Sequence, residues 1–160
     1  MKAVALDSFD YAILDVVQED NRLALKAIAE RVNLSTAAVQ RRIRRLEDEG
    51  VIAKNIAVID PNHVGQPITI IVEVTLERTH ISELDAMRKR LSVPEVQQCY
   101  YVTGDVDFVL VVTVATMDAY EALARKLFYE NTNVKMFRSL VALDRVKVGL
   151  GVDLSRFKST

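Results

Sequence analysis

The sequence has few of the residues that cross-link a chain or bind a metal. Cys99 is its only cysteine, so a disulfide within the chain is excluded, and two histidines, His63 and His80, are a poor basis for a zinc site. The most apolar run covers residues 108–115, far short of the roughly 20 residues that span a bilayer. We therefore expect a cytoplasmic protein with no signal peptide, membrane span, metal or cofactor.

An excess of positive charge is also missing. The net charge is -1, and nine Lys and Arg residues stand against ten Asp and Glu up to Asp60, then twelve against twelve after it. Neither half can attract a polyanion as a whole, so any such affinity has to come from a local patch. One dense patch is present in the stretch STAAVQRRIRRLEDE, residues 35–49. It holds four arginines: Arg41, Arg42, Arg44 and Arg45.

Hydrophobic periodicity predicts three helices between Leu6 and Gly50. Apolar residues recur at three- and four-residue spacing in two short helices and then in a third, which Ser35 caps and Gly50 ends. Only Asn33 and Leu34 separate the second helix from the third, which is too few for antiparallel packing. We therefore expect these two helices to cross steeply, as in a helix-turn-helix.

The period of the pattern changes after the third helix. A β-prone stretch, VIAKNIAVID, leads to a proline-bracketed linker, and beyond it the pattern indicates strand, helix, strand, strand, helix and strand. The order βαββαβ predicts a ferredoxin-like sandwich with two helices on one face of an antiparallel sheet. We expect an α+β protein with a winged-helix-like helix-turn-helix domain over residues 1–60, a linker over 61–67 and a ferredoxin-like domain over 68–160.

One predicted strand is apolar on both of its faces. It is the stretch FVLVVTVA, residues 108–115, in a sheet whose helices can cover only one face. The other face then needs a partner, because large apolar patches are rarely left in water. We expect a homodimer formed through this face.

The third helix has a basic face turned away from its apolar stripe of Val39, Ile43 and Leu46. A rotation of about 100° per residue defines the opposite, outward face. On that face lie Ala37, Ala38, Arg41, Arg44, Arg45 and Asp48, with Gln40 and Arg42 on its flanks.

The ordinary interpretation of this face is a solvated surface. Arg44 with Asp48, and Arg45 with Glu49, are spaced for ion pairs one turn apart. Arg41, however, has no acid one turn away in either direction, and the acidic residues end the helix, where the macrodipole disfavours them. A helix selected for stability alone would have the opposite order of charges.

This order of charges suits a helix whose first two thirds enters a DNA major groove. Ala37 and Ala38 are small enough for close approach, and Gln40 and Arg41 are the candidates for contacts with base edges. Phosphate contacts are expected from Ser35, Thr36, Arg44 and Arg45, with Arg42 on the flank of the same DNA-binding surface.

Four stretches of the sequence resemble one known family. LDSFDYAIL, LKAIAERVNLSTAAVQRRIRRLEDEGVI, AVIDPNHVG and VTGDVDFVLVV, in this order and spacing, are similar to the Lrp/AsnC (feast/famine) family of prokaryotic transcription regulators. The resemblance implies a sequence-specific regulator of double-stranded DNA, associated with the nucleoid, whose second domain senses a small effector, typically an amino acid. It also implies dimers formed through the sheets and higher assemblies such as octamers.

The resemblance further implies that the effector binds between dimers, around the hairpin of Gly104, Asp105, Val106 and Asp107. The chemistry agrees, because glycine tolerates a positive φ that presents N–H groups to a carboxylate, and an aspartate can accept a hydrogen bond from an ammonium group. A plain β-turn is the alternative interpretation. Tyr101 and Thr103, on the incoming strand, are further candidates.

Two places depart from the family pattern. Val106 stands where an aromatic residue is common, and Arg138 and Ser139 occupy a place in the last strand where many relatives have threonines that help to line the pocket. Arg138 is either a contact for an acidic or polar effector or one half of a surface ion pair. The identity of the effector therefore stays open.

Three other functions are alternatives for a chain with these features. An enzyme could use Asp105 and Asp107, but the sequence offers no nucleophile beside a base, no third metal ligand and no phosphate-binding glycine loop, so we do not expect catalysis. A regulatory module that binds an amino acid or a protein without touching DNA would not need the basic helix face. An architectural DNA-binding protein without an effector remains open.

Overall fold

The computed structural model describes residues 4–157, which form two compact units. One unit contains the described residues up to 57 together with those from 147 onward, and the other contains residues 58–146. The first division lies close to the expected boundary at residue 60. Residues 147–157 were expected in the second domain, but they group with the first unit because they pack against its first helix.

The N-terminal unit contains the three predicted helices, α1 (Ser8–Glu19), α2 (Leu25–Val32) and α3 (Thr36–Asp48). Their apolar stripes meet in a core formed by Ile13, Ile28, Ala29, Val32, Val39 and Leu46. As expected, the Ser35 hydroxyl caps α3 by accepting a hydrogen bond from the Ala38 N–H at 3.2 Å. Asn33 ends α2 in the left-handed region, with φ of 53°, a conformation that asparagine tolerates better than most residues.

The β-prone stretch that follows α3 does not form a strand. Residues 53–60 have no regular secondary structure in the described chain. Their sequence favours an extended backbone, but a strand also needs a hydrogen-bonded neighbour, which composition alone does not supply.

The second unit contains the predicted βαββαβ order. Its elements are β1 (Ile68–Leu76), α4 (Ile81–Leu91), β2 (Val96–Tyr101), β3 (Phe108–Val114), α5 (Met117–Ala124), which continues into a π-helical turn (Arg125–Tyr129), and β4 (Val134–Val141). The strands are antiparallel and ordered β2-β3-β1-β4. This topology confirms the predicted ferredoxin-like sandwich.

The helices cover one face of the sheet over its two central strands, and the other face is partly exposed. Alternate residues of β1 and β3 are completely buried in the core with the helices: Ile70, Val72, Val74, Phe108, Leu110 and Val112. Residues between them, such as Val109 and Val111, point to the other face and are half-buried. Met136 and Leu140 of β4 share this far face and are exposed. The prediction of an apolar strand with two apolar faces is therefore confirmed.

In the part of the chain that the structure describes, no helix combines the length and the hydrophobicity that crossing a membrane requires.

Candidate nucleic-acid interface and effector site

Two aspartates bond to each other's backbone at the start of α1. Asp7 is the N-cap and accepts a hydrogen bond from the Asp10 N–H at 2.9 Å, while Asp10 accepts one from the Asp7 N–H at 3.0 Å. This reciprocal arrangement is a capping box, which satisfies two N–H groups that the helix leaves unpaired. Asp10 is only 1% exposed. A carboxylate buried to this extent needs cationic partners.

Arg42 and Arg45 of α3 supply those partners. The Arg42 Nη1 atom lies 2.7 Å from Asp10 Oδ1 and 2.9 Å from Asp7 Oδ2, and the Arg45 Nη2 atom lies 2.5 Å from Asp10 Oδ2. We call Asp7, Asp10, Arg42 and Arg45 the arginine anchor. It fixes the third helix against the start of the first.

The charges of the arginine anchor stabilise one another. Burial alone raises the pKa of Asp10, but hydrogen bonds from the Asp7 N–H, Arg42 and Arg45 together hold that pKa below its ordinary value. The hydrogen bond with Asp10 likewise raises the pKa of Arg42, against the opposing effect of partial burial. Asp10 therefore stays ionised at neutral pH, and the two helices remain joined by charge-assisted hydrogen bonds.

Arg41 and Arg44 differ from the anchored pair. Both are exposed, and neither side chain has an ion pair or hydrogen bond anywhere in residues 4–157. Arg44 and Asp48 are spaced for an ion pair, but they do not form one within the described residues. The other pair predicted from spacing is present, with the Arg45 Nε atom 3.7 Å from Glu49 Oε2. Two guanidinium groups thus face solvent with their donors unused.

The two unpaired arginines belong to a shallow depression on the outward surface of α3. Its lining consists of Ala37, Gln40, Arg41, Arg44, Arg45, Asp48 and Glu49. Ser35 and Thr36 are exposed at the N-terminal end of the same helix. The structure therefore brings most of the predicted DNA-binding residues onto one surface and turns Arg42 towards α1. Arg45 takes part in both arrangements, because it lines the depression and also bonds to Asp10.

The loop between β2 and β3 has the backbone conformation expected of it. Gly104 has φ of 121°, in the region that favours glycine. Asp105 is exposed, and its carbonyl accepts a hydrogen bond from the Thr75 hydroxyl at 3.4 Å. Val106 is half-buried and Thr103 is exposed.

Asp107 has a structural partner that the sequence did not indicate. Its Oδ2 atom accepts a hydrogen bond from the Leu76 N–H at 2.7 Å, and its own N–H donates to the Val74 carbonyl at 2.9 Å. Leu76 lies where the pairing of β1 with β4 changes register, so its N–H lies at an irregular point of the ladder. Asp107 therefore joins the hairpin to β1.

Tyr101, at the end of β2, contacts the helix layer. Its ring centroid lies 5.3 Å from that of Phe108, and the Arg88 guanidinium lies 5.4 Å from the Tyr101 centroid. Its ring therefore packs with the fully buried Phe108 and under a cation of α4.

Arg138 and Ser139 point to opposite faces of the sheet. Arg138 pairs with Glu73 across β4 and β1, with Nη2 2.5 Å and Nε 2.8 Å from Glu73 Oε2. The Ser139 hydroxyl lies 2.5 Å from the Tyr120 hydroxyl of α5, on the helix side. Arg138 thus forms a surface ion pair, which is the second of the two roles considered for it. Neighbouring residues of a strand cannot both line one pocket on one face.

Two family models match the chain in succession. Residues 6–53 match a winged helix-turn-helix DNA-binding domain, and residues 69–152 match the Lrp/AsnC ligand-binding domain. The chain belongs to the Lrp/AsnC family. It is therefore a transcriptional regulator with an N-terminal DNA-binding domain and a C-terminal ligand-binding domain, as the sequence predicted.

Known proteins of the Lrp/AsnC type match almost the whole chain. An uncharacterized HTH-type transcriptional regulator of Sinorhizobium fredii is 42% identical over 153 residues, which are 95% of this chain and 90% of that protein. The crystal structure of an AsnC family regulator from Agrobacterium tumefaciens has a TM-score of 0.87 at 32% identity, covering 94% of this chain and 99% of that one. A Neisseria meningitidis regulator in complex with L-Met has a TM-score of 0.86 at 27% identity, covering 95% and 99%.

Asp7 and Asp10, the two aspartates of the arginine anchor, were not identified from the sequence. The signal was present in the stretch LDSFD, where an acid that precedes an apolar run is followed three residues later by a second acid, the spacing of a helix start. That spacing predicts a cap. It does not reveal that Asp10 is buried beneath α3, because that contact joins residues 32 and 35 positions apart.

Proposed function

We propose that Arg41 and Arg44 are the principal DNA contacts of this regulator, and that Arg42 and Arg45 hold α3 in place for them. The observation that carries this proposal is the division of the arginines into an exposed, unpaired pair and a pair bound to Asp10. An unpaired guanidinium can bond bidentately to guanine or to a phosphate without breaking an existing interaction. Before Arg42 or Arg45 could contact DNA, it would have to break its bond with Asp10 and leave that buried carboxylate short of a partner.

The position of each side chain along α3 suggests its role. Gln40 and Arg41 lie near the middle of the exposed surface and suit base edges, while Arg44 is one turn further from the helix start and suits a phosphate. Ser35 and Thr36 stand at the N-terminal end of α3, where N–H groups and hydroxyls favour phosphate. Ala37 leaves room for the groove to approach.

For the effector we propose an amino acid that binds around the Gly104 turn. The family model for residues 69–152 is a ligand-binding domain, and the similar Neisseria protein holds L-Met. The exposed Asp105 carboxylate is the better acceptor for an ammonium group, because Asp107 has one oxygen engaged with Leu76. Thr103 and Val106 are the neighbouring candidates. Tyr101, Arg138 and Ser139 already have partners within this chain, so we give them a smaller part.

We further propose that the regulator acts as a homodimer joined through the far face of the sheet. This face presents Ile71, Val109 and Val111 half-buried and Met136 and Leu140 exposed, an apolar patch around the Glu73–Arg138 pair. A second copy of the sheet would cover it. Dimers could then assemble further, and binding of the effector between dimers would alter that assembly on DNA in the cytoplasm.

The decisive experiment is footprinting on the DNA upstream of the protein's own gene, with and without each of the twenty amino acids. We expect a pseudo-palindromic footprint with half-sites separated by whole turns of about 10 bp, changed by at least one amino acid that also binds in calorimetry. Arg41→Ala should weaken binding by about 1 to 3 kcal/mol and relax the preference at one base pair. Equal affinity of the wild-type protein for its upstream DNA and for random DNA would instead indicate an architectural protein.

A further inference from the structure

The chain returns to the N-terminal unit after the last strand of the sheet. It leaves that unit after residue 57 and rejoins it at residue 147. We call residues 147–157 the C-terminal strap. Its contacts fall on α1, the helix that also carries both aspartates of the arginine anchor.

A side chain of α1 pairs with the strap's backbone. The Gln18 Nε2 group donates to the Val152 carbonyl at 3.0 Å, and the Val152 N–H donates to Gln18 Oε1 at 2.9 Å. A carboxamide has one donor side and one acceptor side, so it can satisfy both polar groups of a single extended residue. This two-point contact fixes both the position and the direction of the strap at Val152.

An aromatic contact holds the end of the strap. The rings of Tyr11 and Phe157 stack with centroids 4.4 Å apart and planes 5° apart, and the Arg156 guanidinium lies 4.7 Å from the Phe157 centroid. Tyr11 and Gln18 are seven residues apart, close to two helical turns, so they lie on one face of α1. The strap therefore meets the same face of the helix at two points.

The strap has local structure that prepares it for this contact. The Asp153 carboxylate accepts a hydrogen bond from the Ser155 N–H at 2.9 Å, and the Phe157 N–H donates to the Leu154 carbonyl at 3.0 Å. These bonds form a short turn that presents the Phe157 ring to Tyr11. A turn formed in advance reduces the conformational entropy lost on docking.

We propose that the Tyr11–Gln18 face of α1 is a docking surface for the C-terminal strap, and that the docked strap is a working part of the DNA-binding unit. The strap steadies α1, and α1 holds α3 through Asp7 and Asp10. This second step rests on the proposed role of the arginine anchor. Since residues 142–146 join β4 to the strap, the ligand-binding domain has a second covalent connection to the DNA-binding helices besides the linker after α3.

Two altered proteins test the docking surface. One ends after Val146, and the other is full-length with Gln18→Ala and Phe157→Ala. The matched control carries Glu19→Ala and Leu150→Ala, exposed neighbours whose side chains have no hydrogen bond, ion pair or ring contact within residues 4–157. Amide hydrogen exchange should be about tenfold faster in α1 of both altered proteins, with the sheet amides and the control unchanged, because a two-point hydrogen bond and a ring stack are lost.

DNA binding provides the second measurement. On a specific fragment, the dissociation constant should rise about three- to tenfold in both altered proteins and stay at the wild-type value in the control. Wild-type exchange of the α1 amides would overturn the docking surface, whether or not the protein binds DNA. Faster α1 exchange with unchanged DNA affinity would overturn the strap's part in DNA binding. Failure of the wild-type protein to bind DNA would contradict the proposed function and leave the exchange result to decide docking.

Discussion

Helix α3 and the hairpin around Gly104 were both predicted as binding sites, α3 from its basic outward face and the hairpin from the family resemblance. In both regions, the structure pairs some of the charged side chains and leaves others exposed. In α3, the two arginines at 42 and 45 bind Asp10, and the two at 41 and 44 remain unpaired. In the hairpin, Asp107 bonds to β1 while Asp105 is exposed. In each region, only part of the charge is available to a ligand. The periodicity of a helix or strand predicts the face on which a charged side chain lies. The partner of that side chain depends on contacts with residues distant in sequence.

The largest effect is expected in the arginine anchor. Asp10→Ala leaves two guanidinium groups without their buried acceptor, so the free energy of unfolding of the N-terminal unit should fall by about 3 kcal/mol. Urea denaturation followed by circular dichroism measures this. Glu49→Gln, which removes only the more exposed partner of Arg45, is the matched control and should cost less than about 1 kcal/mol. Equal losses from the two changes would show that Asp10 is not the centre of the anchor.

The same carboxylate predicts how stability depends on pH. The folded-state pKa of Asp10 is lowered, so its contribution to stability is present above its ordinary, unfolded value of 3.8 and is lost as the pH falls through that value towards the folded pKa. The unfolding free energy of the wild type should therefore decline below about pH 4 more steeply than that of Asp10→Asn. Parallel pH profiles for the two proteins would contradict this assignment.

Next in size is the effect of a charge on the far face of the sheet. Val111→Asp should raise the dimer dissociation constant roughly a hundredfold, about 2 to 3 kcal/mol, because the interface would bury an unpaired carboxylate. Analytical ultracentrifugation measures it. Ala86→Asp adds the same charge to an exposed position of α4 and should leave the dimer intact. A wild-type dissociation constant for Val111→Asp would place the dimer contact elsewhere.

Substitutions of the two hairpin aspartates should have smaller effects, one on stability and the other on amino-acid binding. Asp107→Ala removes the acceptor of the Leu76 N–H and should lower the unfolding free energy of the sheet unit by about 1 to 2 kcal/mol. Asp105→Asn should leave that stability within about 0.5 kcal/mol of the wild type and weaken amino-acid binding in calorimetry. The reverse distribution of effects would exchange the roles that we assign to these aspartates.

The smallest effect concerns the far-face ion pair. In the monomeric Val111→Asp protein, whose far face stays in solvent, Arg138 and Glu73 should couple by about 0.5 kcal/mol in a double-mutant cycle of Arg138→Ala and Glu73→Ala, because the Arg138 side chain is 65% exposed in the single chain. Amino-acid affinity should change much less in the Arg138→Ala protein than in the Asp105→Asn protein. A large loss of affinity would restore Arg138 as an effector contact.

The elements of the fold follow from sequence because local rules determine them. Ser35 caps α3, Gly104 adopts its positive φ, and alternation in β1 and β3 separates the core face from the far face. Alternation also separates Arg138 from Ser139, but the family resemblance grouped them. No local rule could reveal the contact between Asp10 and α3 or between Gln18 and residue 152, since these pairs are 32 and 134 positions apart.

The most direct test of the division among the arginines compares Arg44→Ala with Arg42→Ala, the same change two positions apart on α3. For Arg44→Ala, we predict wild-type stability in urea and a slope of log affinity against log salt that is lower by about one. For Arg42→Ala, we predict an unchanged salt slope and an unfolding free energy lower by about 2 kcal/mol, because Asp10 loses a partner. A lower salt slope for Arg42→Ala with unchanged stability would contradict the account.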